Sequence, residues 1–358
     1  MSRLADYKQA LLELMEVPGV TGYESEVAGR IASYFCTYTD EIRTDKLGNL
    51  IALIRGEGAE PRPRIMVAAH MDEIGLIVTK VEPGGFLRFT QLGGLDPRTL
   101  LGQEVIVHGR TKCHGIVGSK PPHLTTAEER DTAIPLQDLY IDLGMPEERV
   151  REQIQIGDVI TIVRSSMELQ NGYIAGKALD NRAGIAALLE CLQEMNRLWI
   201  QADVYVVATV QEELGNRGAA AVANAIRPDL GIAVDVTHAG MPGVAADLGM
   251  KMDGGAVIHN GPNIHRDIFA RFVKTADQQN IPYQIRLSQA PTATDGNAIQ
   301  ITREGIPTGV LAIPLRYMHT SVETVCYRDV QRVGKLLAHF VASVDRSFVE
   351  GLACYLKN

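Results

Sequence analysis

The chain has 358 residues, 46% hydrophobic and 22% charged, which suits two or three domains, or one large domain with an insertion, and a core that needs no disulfide staples. Its formal net charge of −8, with no block of like charges, argues against nucleic-acid binding, which requires a basic stripe to neutralise phosphates. The five cysteines, Cys36, Cys113, Cys191, Cys326 and Cys354, are scattered and never form CxxC; this argues against a disulfide framework or a thiolate zinc knuckle and fits a reducing cytoplasm.

The N-terminal segment places Leu4, Tyr7, Leu11 and Leu14 at helical spacing, with Asp6, Lys8 and Glu13 between them. Those charges forbid a signal peptide, and no stretch approaches the ~20 apolar residues of a membrane span. A soluble, cytoplasmic protein without a membrane partner is expected. Pro18-Gly19 ends this first helix near Val17. A second helix is predicted from Ser25 to Tyr34, with Val27, Ile31 and Phe35 on one face. The apolar runs Leu50–Ile54 and Ile65–Ala69 read as buried strands of an α/β sheet covered on both faces.

The pattern changes after Glu73. Residues 74–165 read as short strands separated by Gly and Pro, among them Gly75–Val78, Phe86–Phe89, Glu104–Val107 and Val159–Ile162. Close spacing with turn signals predicts a small β-barrel or sandwich, with a polar loop from Pro121 to Pro135. α/β character then returns: a helix from Arg182 to Leu198, strands Val204–Val210 and Leu230–Val234, an Ala-rich helix from Gly218 to Ala225, a strand Gly309–Ile313, and a closing helix from Asp329 to Phe348. The expected fold class is α/β, a mixed sheet covered by helices. Residues 1–73 and 166–358 form one discontinuous domain, interrupted by the all-β insertion at 74–165.

Polar residues gather at the carboxyl ends of the predicted strands, where open α/β sheets build their sites. Strand 65–69 ends in His70-Met71-Asp72, strand 204–210 in Gln211-Glu212-Glu213, and strand 230–234 in Asp235-Val236-Thr237-His238. Strand 309–313 leads to Met318-His319-Thr320-Ser321, and Ala178-Leu179-Asp180-Asn181-Arg182 stands before the long helix. Singly, each has an ordinary reading: Asp180 as a helix cap, Glu212-Glu213 as a charged helix start, His70 as a satisfied core histidine. Together, two histidines and several carboxylates on one sheet edge are costly to bury unless positive charge sits among them. A pair of divalent metals fits. Imidazole and carboxylate suit zinc, cobalt or manganese, and two-metal hydrolases hold their ions about 3.5–4 Å apart. Such a site needs a bridging carboxylate, terminal ligands and a spare carboxylate as base. Neighbours such as Glu212 and Glu213 leave a strand in different directions and could divide the last two tasks.

In this order, His70-Met71-Asp72-Glu73-Ile74-Gly75, Ala178–Arg182, Gln211–Gly215, Asp235–His238 and Arg316-Tyr317-Met318-His319-Thr320 resemble the motif series of metallopeptidase family 42. These are the tetrahedral (TET) aminopeptidases, which include glutamyl and deblocking aminopeptidases and proteins labelled endoglucanase M. The resemblance covers essentially the whole chain. It implies that His70 binds one metal and that Asp72 orients its ring. Asp180 would bridge the two metals, Glu213 and His319 would complete one ion, and Asp235 the other. Glu212 would be the general base, passing a proton from the attacking water to the leaving amine. The bridging motif commonly has a second Asp where this chain has Asn181, a position that is not a ligand in this reading. The resemblance further implies a zinc-peptidase domain with a PDZ-like inserted domain that forms dimer contacts, and dimers assembled into a twelve-subunit tetrahedral shell acting on peptides. A loop like Thr294-Asp295-Gly296 lies near the substrate in relatives, which implies substrate-binding roles for Thr294 and Asp295; the tripeptide also reads as a plain turn.

His238 reads as a neighbour of the site and not a ligand. His108, His114, His123, His259, His265 and His339 lack partners in the pattern and read as structural or surface residues. Absence of HExxH, GxSxG, GxGxxG and GxxxxGK[ST] motifs argues against zincins, α/β-hydrolases, dinucleotide enzymes and P-loop NTPases. Two other readings stay open. One is a metal-dependent deacylase or other hydrolase on the same scaffold, separable by assays on amino-acyl anilides and on cellulose with EDTA. The other is a non-catalytic, metal-binding scaffold, against which the spare carboxylate Glu212 argues.

Overall fold

The long apolar runs assemble into one sheet of eleven strands, and the shorter runs between them close on themselves as a six-stranded antiparallel barrel. The computed structural model describes residues 7–127, 131–245 and 248–352; Leu4, Asp6, Cys354 and positions 128–130 of the polar loop lie outside them. In chain order the strands are β1 (Ile42–Thr44), β2 (Leu50–Ile54), β3 (Arg64–His70), β4 (Gly75–Val81), β5 (Leu87–Leu92), β6 (Glu104–His108), β7 (Lys112–Gly118), β8 (Tyr140–Asp142) and β9 (Val159–Ile162). There follow β10 (Met167–Glu168), β11 (Tyr173–Gly176), β12 (Asp203–Thr209), β13 (Leu230–His238), β14 (Ala256–Asn260), β15 (Tyr283–Leu287), β16 (Thr308–Arg316) and β17 (Glu323–Cys326).

The sheet runs β1-β2-β12-β3-β13-β16-β17-β11-β10, with β14 against the first half of β16 and β15 beyond it. Its centre, β12-β3-β13-β16, is parallel. Alternation along β3 divides its side chains between two cores. Ile65, Val67 and Ala69 face the cluster built with the helices Tyr7–Glu16, Leu179–Met195 and Tyr327–Ala342. Met66 and Ala68 face a second cluster, built with the helices Arg217–Ile226 and Asp295–Gln300. With both faces covered, these strands have no polar face, which is why they read as continuous apolar runs. Parallel order puts the carboxyl ends of all four at one edge.

The barrel β4-β5-β8-β7-β6-β9 has its own core, including Leu76, Val78, Phe89, Val105, Val107, Ile141 and Ile160. The chain enters it just after His70 and returns through β10 and β11. At that crossing Lys177 Nζ pairs with Glu73 Oε2 at 2.6 Å, and Glu73 Oε1 accepts from the Gly19 amide at 3.0 Å, so the buried charges satisfy each other. Cys113, Cys191 and Cys326 are buried and free, and Cys36 is exposed and free. Among the described residues no helix is long and apolar enough to cross a membrane.

Several elements differ from the sequence expectation. β13 runs on to His238 because β16 stays paired with it as far as His238 opposite Leu315, so Asp235 sits inside the strand. The closing helix is two helices, Tyr327–Ala342 and Arg346–Gly351; Asp345 accepts from the Phe348 amide at 2.7 Å and starts the second. A short helix, Glu147–Gln153, interrupts the strands of the barrel; Pro146 precedes it and two glutamates occupy its first turn. The helix Arg266–Gln278 and the β14-β15 pair also go beyond the sequence reading.

Candidate metal centre

Several of the segments that reach the edge turn there, while β13 runs straight through it. His70 is the last residue of β3 and Asp180 lies in the first turn of the helix Leu179–Met195. Glu212 and Glu213 follow β12, Asp235 projects from β13, and His319 stands in the loop after β16. Four non-glycine residues beside or within these turns adopt left-handed backbone: Ala178 (φ 57°), Gln211 (54°), Tyr317 (58°) and His319 (61°). Such conformations cost on the order of 1–3 kcal/mol each and concentrate where geometry serves a site.

The five metal-ligand candidates converge in two groups that share Asp180: His70, Asp180 and Asp235 in one, Asp180, Glu213 and His319 in the other. His70 Nε2 lies 3.1 Å from Asp180 Oδ1 and 3.8 Å from Asp235 Oδ1. His319 Nε2 lies 3.4 Å from Asp180 Oδ2 and 3.2 Å from Glu213 Oε1. The two oxygens of Asp180 thus face opposite groups, as a bridging carboxylate must. Asp72 is fully buried. Its two oxygens accept the Glu212 and Glu213 amides, each at 3.1 Å, and Oδ1 stands 3.4 Å from His70 Nδ1. It therefore holds the glutamate turn as well as the His70 ring.

The charge balance of this cluster is abnormal without cations. Among the described residues, Asp180, Glu212, Glu213 and Asp235 form ion pairs only with His70 and His319. Burial raises Asp235 well above the carboxylate range, and Asp180 adds to it. Burial, with Asp235, Asp295 and Glu213, pushes Glu212 up to about 10 against the opposing pull of His70. Asp180 and then Glu213 raise His319 to about 11. Burial lowers His70, but Glu212, Asp180 and Asp72 outweigh it and hold it well above the usual imidazole range. Protons on two imidazoles are a poor offset for four desolvated acids; divalent cations are a better one.

The donor set fits such ions. Both histidines present Nε2 to the carboxylates while Nδ1 faces an oxygen: the Asp72 carbonyl at 3.2 Å for His70, the Gly94 carbonyl at 2.6 Å for His319. With Nδ1–H donating, the Nε2 lone pair is free to bind metal. Imidazole and carboxylate together suit zinc, cobalt or manganese.

Other residues at the edge hold the candidate ligands in place, and two of them, Glu323 and Asn216, escaped the sequence reading. Glu323, buried at the start of β17, accepts the Asp180 amide at 3.0 Å and the His319 amide at 2.7 Å. Burial and then the Asp180 charge raise its pKa well above the usual range, opposed by those two amides. Asn216 Nδ2 donates to Glu212 Oε1 at 2.7 Å instead of capping the helix it starts. Asn181 Nδ2 donates to the Val234 carbonyl at 2.8 Å and its Oδ1 accepts the Gly184 amide at 2.9 Å, tying the Asp180 turn to the strand that carries Asp235. Neither Glu323 nor Asn216 carried a usable signal in the strand pattern, because each acts through a partner that folding brings near. Thr294 and Asp295 are both buried. Thr294 Oγ1 accepts the Gly296 amide at 3.3 Å as a helix cap, and Asp295 accepts from the Thr209 hydroxyl and is pushed up to about 6 by burial. A substrate contact for this pair rests on the resemblance alone. His238 is exposed and belongs to neither ligand group.

Comparison with known proteins agrees with the whole architecture. The family model described as M42 glutamyl aminopeptidase matches residues 48–336. A lysyl aminopeptidase of Pyrococcus furiosus is 36% identical over 333 residues, 92% of this chain and 94% of that protein. The TET aminopeptidase of the marine sediment archaeon Thaumarchaeota archaeon SCGC AB-539-E09 superposes with a TM-score of 0.92 at 33% identity, covering 97% of this chain and 99% of that one. The TET1 peptidase of Pyrococcus horikoshii, which can assemble into a tetrahedron or a large octahedral shell, superposes with a TM-score of 0.84 at 31% identity, covering 95% and 100%.

Proposed function

The chain belongs to the M42 glutamyl aminopeptidase family and is a hydrolase acting on peptide bonds; on that premise we propose that it removes N-terminal residues from peptides at a dinuclear metal centre with Glu212 as general base. The observation that carries this reading is the divergence of two adjacent acids. Glu213 Oε1 lies 3.2 Å from His319 Nε2, within a ligand group. Glu212 turns the other way and belongs to neither group: Oε1 is held by Asn216, and Oε2 stands 3.9 Å from His70 Nε2.

His70, Asp180 and Asp235 would hold one ion, and Asp180, Glu213 and His319 the other, with Asp72 fixing the His70 ring. Divalent ions there, zinc or cobalt first and manganese as the alternative, would supply the positive charge that polarises a scissile carbonyl and acidifies water. Glu212 takes the proton of the attacking water and delivers it to the leaving amine. Cationic charge at the ligand groups favours the ionised Glu212 that this role requires. Its anchored Oε1 leaves one oxygen to carry the proton.

Glu212→Gln keeps both ions and the assembled state and lowers kcat by about 10²–10⁴-fold, the range for removing a general base. Steady-state assays on amino-acyl anilides with metal analysis measure this, and near wild-type turnover overturns the assignment. Kinship with shell-forming TET peptidases supports a homo-oligomer, proposed here as a dodecamer built from dimers. Light scattering after size exclusion tests it; a monomer at working concentration refutes it.

A further inference from the structure

We infer that the barrel completes the metal centre, with the Gly94 carbonyl as the group that sets the tautomer and aim of His319, which makes Gly94 a positioning residue. The inference rests on the reading of His319 as a ligand.

Three observations carry it. First, His319 Nδ1 lies 2.6 Å from the Gly94 oxygen, on the loop after β5, a barrel strand. Donation from Nδ1–H turns Nε2 toward Asp180 and Glu213 and leaves it as the nitrogen that would bind a metal. Second, the approach is possible because the loop carries two glycines. A Cβ at Gly94 would stand 3.0 Å from His319 Nδ1 and 3.1 Å from its Cε1, so the ring would have to yield by a few tenths of an ångström. A Cβ at Gly93, where φ is +82°, would meet Ile74 Cγ2 at 2.7 Å and Glu213 Oε2 at 3.3 Å. The same two-residue stretch of the barrel thus lies against two of the three ligands of the second group, His319 and Glu213. Third, the barrel grips the His319 loop again: Gln103 Nε2 donates to Ser321 Oγ at 3.1 Å.

The loop needs this support. His319 and Tyr317 hold left-handed backbone, and the His319 side chain is 31% exposed, against 2% for His70. A ligand on such a turn is aimed by what it touches, and the ring's Nδ1 contact comes from the inserted barrel. The insertion is therefore coupled to the centre, whatever it does in assembly.

The test is calorimetric titration of metal-free protein with zinc alone, for the wild type, His319→Ala, Gly94→Ala and Gln103→Ala. His319→Ala should lose one of two binding events; two unchanged events would refute the ligand reading itself. If His319→Ala loses one, Gly94→Ala should weaken that same event by about 10–100-fold, as changes to groups that orient ligands do. kcat should return at saturating zinc with KM unchanged. Gln103→Ala, which introduces no clash, should weaken the event several-fold and covers the case in which Gly94→Ala fails to fold. Wild-type zinc affinity in Gly94→Ala, or in Gln103→Ala if the former does not fold, overturns the inference while leaving the ligand reading intact.

Discussion

The two halves of the candidate centre are built differently. The His70 half belongs to the sheet: His70 ends β3, Asp235 projects from β13, and both are nearly fully buried. Their spacing follows from strand register, and the Asp72 that steadies His70 lies only two residues away. The His319 half belongs to loops. His319 sits on a left-handed turn, and its holders are the Gly94 carbonyl from the barrel, far away in the chain, and the Glu323 carboxylate at the start of β17, which also accepts the Asp180 amide. Strand ends thus give a preformed half, whereas the second half depends on tertiary contacts that single substitutions can remove. The sheet-borne half should bind its ion with little reorganisation, and the loop-borne half should be the softer one.

The largest effect expected on this comparison is a pH dependence of metal affinity. In the metal-free protein Asp180 and Glu213 raise His319 from 6.5 to about 11. A raised imidazole contributes stability that is fully present below pH 6.5 and lost as pH rises through about 11. Metal must displace that proton, so affinity rises with pH across the same window, about tenfold per unit for each proton released. Between pH 7 and 9 the second binding event should tighten by about 100-fold. Titrations in buffers of different ionisation enthalpy count the protons. An affinity independent of pH, with no proton release, would mean that His319 does not bind the ion through Nε2.

Glu323→Gln should act next most strongly, and unequally on the two halves. The carboxylate accepts two backbone amides, whereas a glutamine offers one acceptor oxygen and turns an NH₂ group toward the other amide. The ion held with His319 should weaken by about 10–100-fold, and the ion held by His70 and Asp235 by less. Cobalt titration followed by absorbance resolves the two events. Equal weakening of both would show that the halves are coupled through Asp180 and do not form independently.

The same contrast explains what the sequence disclosed. His70, Glu212, Glu213 and Asp235 could be placed at one edge because continuous apolar runs mark the parallel strands and polar residues past such runs gather there; the division of these residues into ligands and base, and the bridging role of Asp180 before the long helix, rest on the family resemblance. Glu323 and Gly94 could not be placed there. In sequence Glu323 opens a short Thr-Val-Cys strand, and Gly93-Gly94 reads as a turn; each gains meaning only from a partner brought near by folding. The Gly94–His319 contact spans 225 residues. The helix Arg266–Gln278 was missed for a local reason. Its buried Ile268, Phe272 and Ala276 recur every four residues, but His265, an unusual choice, caps it by accepting the Asp267 amide at 3.3 Å. The barrel was legible as an architecture, while its reach into the metal centre was not, because backbone carbonyls leave no signature in side-chain patterns.

The smallest effect concerns Asn181, which stands where the resemblance expects an acid, and it probes the sheet-borne half. Asn181 is fully buried and uses both ends of its amide: Nδ2 donates to the Val234 carbonyl at 2.8 Å, and Oδ1 accepts the Gly184 amide at 2.9 Å. Asn181→Asp keeps the acceptor and replaces the donor with an oxygen facing the Val234 carbonyl. Leaving that carbonyl unpaired in the interior costs about 1–3 kcal/mol at neutral pH. A buried carboxyl facing a carbonyl has its pKa raised, because only the protonated form can donate. The penalty is therefore full above the folded pKa and shrinks as pH falls, so the variant should approach wild-type stability in acid. Denaturant unfolding of the metal-free proteins at pH 7.5 and pH 5 measures both terms. Turnover with metal bound should change only a few-fold, since Asp180 and Asp235 keep their own ligand atoms. A stability loss that is the same at both pH values would show that the Val234 contact does not set the cost, and that the strand carrying Asp235 is held by its pairing with β3 and β16 without it.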